Sequence, residues 1–123
     1  MSSADTKTLI ETTVTRFQED VPALANLKLT VELELRGRRD VQLYHVEVPG
    51  PKVNKQLTGN ERVRLSLPRS HFNELAKEGG LRHWREAFEL GHAKASGPTE
   101  ILQLIARVVE RQEERSRTRK AKS

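Results

Sequence analysis

From Leu27 to Arg36 every second residue is apolar: Leu27, Leu29, Val31, Leu33 and Leu35 alternate with Lys28, Thr30, Glu32, Glu34 and Arg36. Successive side chains of an extended strand point to opposite faces, so this pattern specifies one buried and one polar face and commits the segment to a half-buried strand. Gly37 to Asp40 reads as a short polar turn. The run from Val41 to Val48 then returns as a second strand, which makes an antiparallel hairpin ended by Pro49, Gly50 and Pro51. A sheet with one apolar face needs a cover, and the flanking segments carry helical periodicity.

Ahead of the hairpin, Leu9, Ile10, Val14, Phe17, Val21 and Leu24 recur at spacings of three and four, the stripe of an amphipathic helix. Asp5 is placed to cap its start, and Pro22 to kink or stop it. Beyond the hairpin a weak strand is expected around Val53. The turn cluster Thr58, Gly59, Asn60 leads into another strand, in which Val63, Leu65 and Leu67 alternate with Arg62, Arg64 and Ser66. Pro68 closes it, and Ser70 is placed to cap a short helix with Phe72 and Leu75 that stops at Gly79 and Gly80. A second short helix aligns Leu81, Trp84 and Phe88, and Gly91 ends it. His92 to Ser96 can form a last strand, and Gly97 and Pro98 open a final helix with the stripe Ile101, Leu104, Ile105 and Val108. The expected fold is α+β: an N-terminal helix, about five mainly antiparallel strands, two short helices before the last strand, and a C-terminal helix packed on one sheet face.

At 123 residues the chain suits one core. Residues 1–110 are expected to form it, with 111–123 a charged, disordered basic tail. Arg115, Arg117, Arg119, Lys120 and Lys122 account for the whole formal charge of +5, so the folded body is formally neutral. A basic tail on a neutral body implies weak attraction to polyanions, such as transient contact with an anionic membrane, and no specific nucleic-acid reading. The absence of cysteine excludes disulfides, thiolate chemistry and zinc-thiolate sites. No apolar run has the length of a membrane span, the first residues lack a secretion-signal layout, and Ala121, Lys122 and Ser123 do not form a peroxisomal address. A cytoplasmic protein is the expectation.

The order of elements, with the strand Val63, Leu65, Leu67 running into a helix bearing Phe72 and Leu75, and then Ala87, Phe88, Gly91, Lys94, Ser96 and Gly97, resembles the sterol carrier protein type 2 family. The resemblance is best from Arg62 to Val109. It implies helices over one face of a five-stranded sheet enclosing an apolar tunnel for a fatty acid, an acyl thioester or a sterol-like lipid, with no enzymatic activity and no cofactor. The residues expected to face the ligand are Leu33, Val63, Leu65, Phe72, Leu75, Trp84, Phe88, Ile101, Leu104, Ile105 and Val108. With three Phe and one Met, the chain is poorer in such residues than many members. The alternative is a module of the same fold with a filled interior, working through a homodimer or a partner by Tyr44, Val46 and Val48 on an open sheet face.

Catalytic motifs are sparse. His45 and Glu47, two apart on a strand, share a face, and there a general base or a two-point metal site could begin; a third polar group within reach would be required. His71, His83 and His92 have no metalloprotease or zinc-finger spacing, and neither a Gly-x-Ser-x-Gly elbow nor a phosphate-cradling glycine loop is present. No catalytic or metal residue is therefore assigned.

Overall fold

The computed structural model describes the backbone of residues 3–122, and the side-chain surroundings of those residues apart from 3–4, 25, 78, 81 and 116–122. The alternating segment is its centre. Strand β1 (Leu29–Arg36) pairs antiparallel with β2 (Val41–Val48) and parallel with β4 (Val63–Pro68). Short strands β3 (Lys52–Asn54) and β5 (Lys94–Ser96) form the two edges, giving the order β3-β2-β1-β4-β5. β1 begins two residues later than the alternation implies, because Lys28 takes a left-handed backbone (φ 47°) that turns the chain before the strand starts.

Register puts Val31, Leu33 and Leu35 level with Val63, Leu65 and Leu67, while Leu33 faces Tyr44 and Val31 faces Val46. These side chains form one face, and among the described residues four α-helices complete the fold. α1 (Ser3–Asp20) leads into a 3₁₀ turn at Pro22–Asn26; α2 (Arg69–Glu78) and α3 (Leu81–Glu89) follow β4; α4 (Thr99–Lys122) follows β5. Ile10, Phe72, Leu75, Ala76, Trp84 and Ala87 meet Leu33, Leu35, Tyr44, Val46, Val53, Val63 and Leu67 in one core. Phe17, Trp84 and Phe72 stack edge to face at its helical side, with ring centroids 5.4 and 6.1 Å apart. The Arg16 guanidinium donates to the Ala76 carbonyl and ties α1 to the end of α2.

Several local expectations change. Asp5 lies in the first turn of α1, not ahead of it. α2 begins at Arg69 after an extended Pro68, so Ser70 is inside the helix and makes no cap. Buried Thr6 and Thr13 share the inner face of α1 with Ile10, and the Thr13 hydroxyl is satisfied by donating to the Leu9 carbonyl at 2.7 Å. Pro98 precedes α4, and residues 111–122, expected as a disordered tail, continue that helix. Ser123 lies outside the described residues. Tyr44 and Val46 are fully buried and Val48 half-buried on the helix-covered face, so they are not contacts on an open one; that face instead carries Val41 and Leu43, which are exposed.

Candidate functional site

Three places could carry function: the layer between sheet and helices, a cleft between α2 and α3, and a polar cluster on the sheet's open face. In the first, the structure brings together Leu33, Val63, Phe72, Leu75 and Trp84 as fully buried members of the core, with half-buried Leu65, Ile101 and Ile105 packed against it. Phe88 and Leu104 lie at the periphery, 38% and 44% exposed, and Val108 is half-buried. Leu81, expected in line with Trp84 and Phe88, lies outside the described side chains. Helix α4 rests on β5 and the 3₁₀ turn, and Arg85 of α3 reaches its Glu113 at 2.9 Å. None of the apolar residues Ile101, Leu102, Leu104, Ile105, Val108 and Val109 is fully buried, so α4 is the least committed part of the apolar layer.

The cleft has a volume of about 310 Å³ and is lined by His71, Glu74, Leu75, Gly79, His83, Glu86, Ala87, Leu90 and His92. Histidines without any informative spacing in sequence thus meet in space. His71 and His92 stack with ring centroids 4.8 Å apart, and His83 Nδ1 accepts the Gly80 amide at 3.1 Å, which leaves its proton on Nε2 in the neutral ring. No three His, Asp or Glu side chains among the described residues are arranged to hold a metal ion. The cleft therefore offers an apolar floor, Leu75 and Ala87, beneath a hydrogen-bonding rim. Leu75 is the one expected ligand contact that lines it.

On the open face, His45 is only 2% exposed. Its Nε2 lies 3.1 Å from Glu47 Oε1 and its Nδ1 3.2 Å from Glu61 Oε1. Glu61 is the third polar group that the pair required, and it comes from the segment between β3 and β4. The sequence does carry a trace of it: Thr58-x-x-Glu61 has capping-box spacing, and the Thr58 amide donates to Glu61 Oε1 at 2.6 Å although no helix follows. Burial pushes the Glu61 carboxyl up, but its bonds from the backbone amides of Thr58 and Glu61, from His45 and from the Thr58 hydroxyl outweigh this and hold it at about 2. The bond to Glu47 raises His45 above 6.5, burial opposes this, and Glu61 raises it further. Both ring nitrogens are engaged and the ring is enclosed, so no face of it is open to a substrate. Elsewhere on this face Arg64 pairs with Glu32, and Ser66 donates to Glu34 at 2.6 Å.

No protein-family model matches the sequence, and no curated protein matches it. Solved structures do. A crystal structure of sterol carrier protein 2 like 2 from Aedes aegypti superposes with a TM-score of 0.57 at 17% identity, covering 82% of this chain and 96% of that one. A solution structure of the palmitated form of SCP2L2 from Aedes aegypti gives 0.56 at 17% identity, over 81% and 93% of the two chains. Apo sterol carrier protein 2 from Yarrowia lipolytica gives 0.54 at 16% identity, over 79% and 83%. The chain has a sterol-carrier-protein-2-like fold, as the resemblance implied.

Proposed function

We propose that the chain binds an apolar ligand, a fatty acid, acyl thioester or sterol-like lipid, between its sheet and helices, and that it does so without catalysing a reaction. The observation that carries this reading is α4. Its stripe from Ile101 to Val109 is apolar and only half-buried, and Phe88 of α3 is partly exposed. Each methylene removed from water contributes ~0.8 kcal/mol, so an acyl chain beneath such a stripe would complete the burial that the protein alone leaves unfinished. The palmitated neighbour supports a ligand of this class.

Transfer of a fluorescent acyl lipid between two vesicle populations tests it. The protein should accelerate transfer in proportion to its concentration, and Ile105→Asp should abolish the acceleration; transfer no faster than the spontaneous rate would count against the proposal. The basic end of α4 would let a cytoplasmic carrier touch the anionic bilayer that supplies its cargo, at ~1 kcal/mol per Lys or Arg near the surface. Weaker binding to anionic vesicles by a chain ending at Glu114 is the expected result.

A second reading has its own support. Leu33, Val63, Phe72, Leu75 and Trp84 already fill one another's surroundings, as they would in an interaction module with no cargo. In that case Val41 and Leu43, 55% and 37% exposed, would contact a second copy, and the molecular mass in solution would be that of a dimer.

A further inference from the structure

Arg38 and Arg39 form the tip of the β1–β2 turn, which the Gly37 amide closes by donating to the Asp40 carbonyl at 2.7 Å, and Arg36 ends β1 just before it. All three arginines are exposed, and among the described residues none of them makes an ion pair or a side-chain hydrogen bond. A fourth guanidinium comes from the start of α2. Arg69 Nη2 donates to Asp40 at 2.7 Å, and a methyl group on Gly37 would lie 2.6 Å from the same nitrogen, so Arg69 is packed against the turn. Four guanidinium groups thus meet one carboxylate. Counting Glu34, the next acid on the open face, still leaves an excess of two positive charges, and Glu32 beyond it is paired with Arg64. The first turn of α2 carries no acid and no side-chain cap, so its amides add charge of the same sign.

The same end of the sheet carries aliphatic side chains that no helix covers. Register sets Val41 opposite Arg36 and Leu43 opposite Glu34, and both are exposed on the open face. Unpaired arginines beside uncovered aliphatic groups are the two components of contact with a charged lipid surface: the cations are drawn to the phosphates, and the aliphatic groups enter the boundary between headgroups and acyl chains. We propose that this end of the β1–β2 hairpin is a docking surface for an anionic lipid membrane.

Charge and composition select this occupant. A second copy would set the same excess of arginine against itself. Protein partners are commonly anchored by aromatic side chains, and the patch has none, because Tyr44, the only Phe, Tyr or Trp of the hairpin, is buried in the core. A nucleic acid would use the arginines and leave Val41 and Leu43 in water. The surface lies in a different part of the chain from the basic end of α4, and docking on it is independent of cargo, so it stands even if the protein carries no lipid.

The chain has no cysteine, so an environment-sensitive dye attached to Val41→Cys reports from one position in the full protein. Its emission should shift to the blue and brighten with vesicles of phosphatidylcholine containing about 30% phosphatidylserine, and stay unchanged with phosphatidylcholine alone. In cosedimentation with the anionic vesicles, Arg38→Ser combined with Arg39→Ser should lower the affinity by about tenfold or more, although the basic end of α4 is intact in that variant. Val41→Ser combined with Leu43→Ser should lower it too, which a purely electrostatic contact would not do. A dye that stays in water on anionic vesicles, or an arginine variant that binds within about twofold of the parent, would overturn the proposal. So would a dimer in solution that Leu43→Ser dissociates while vesicle affinity is unchanged, since the patch would then belong to a second copy.

Discussion

Phe72→Ala separates a packed interior from an open one. The ring is 2% exposed and meets Trp84 edge to face at 6.1 Å; Trp84 in turn meets Phe17 at 5.4 Å. Removing a phenyl ring from such surroundings costs about 3–5 kcal/mol, as lost transfer energy plus the cavity left behind. The lost aromatic pair, ~0.5–1.5 kcal/mol, falls within that range. Against a total stability of about 5–15 kcal/mol this is about a fifth or more. Urea unfolding followed by the fluorescence of Trp84, the single tryptophan, reads it directly. With a slope of about 2 kcal/mol per molar, the midpoint should fall by roughly 1.5–2.5 M while the slope stays constant. A loss under about 1 kcal/mol would refute the reasoning, because it would mean that Phe72 borders space that is already open or refills without cost.

Other predictions follow from single contacts. The raised His45 contributes stability that is fully present below 6.5 and lost as pH rises through its folded value, whereas Glu61, lowered from 4.5 to about 2, contributes stability present above 4.5 and lost as pH falls through about 2. Urea midpoints should therefore peak between those limits, and His45→Ala should flatten the alkaline side. Gly97→Ala should destabilise by about 1–3 kcal/mol, because the residue has φ 147° and its new methyl would sit 2.6 Å from the Arg62 carbonyl oxygen; thermal melting checks this. A double-mutant cycle on Arg85 and Glu113 should return only about 0.2–1 kcal/mol, since Arg85 is 45% exposed.

The architecture was legible in the sequence where one face of an element is buried and the other is not. β1 and β2 are of this kind, and Val41–Val48 has the expected limits. The two short helices and the last strand were bounded by Gly79, Gly80, Gly91 and Gly97, whose punctuation is local. The parallel pairing of β1 with β4 was not legible, because alternation gives the face of a strand and not its neighbour. Which face of β2 the helices cover was equally ambiguous, since Val41 and Leu43 are as apolar as Val46 and Val48. How far the final helix runs past Val109 was not legible from composition; α4 continues to Lys122, with Glu113 paired to Arg85 of α3. At the candidate site the apolar residues could be named but not sorted, because cavity lining and packed core have the same periodicity. Glu61 was missed because 16 residues separate it from His45 and only the crossing connection brings the two together.

An apolar ligand bound between sheet and helices, as proposed, would lie near Trp84, the single tryptophan. Titration of the delipidated protein with a fluorescent fatty-acyl probe, watching Trp84 emission, tests it most directly, with native mass spectrometry giving the stoichiometry. Saturable one-to-one binding that quenches Trp84, with a mass increase of one ligand, is the expected result. A protein that purifies without lipid, leaves Trp84 emission unchanged with acyl and sterol probes alike, and shows no bound mass would contradict it.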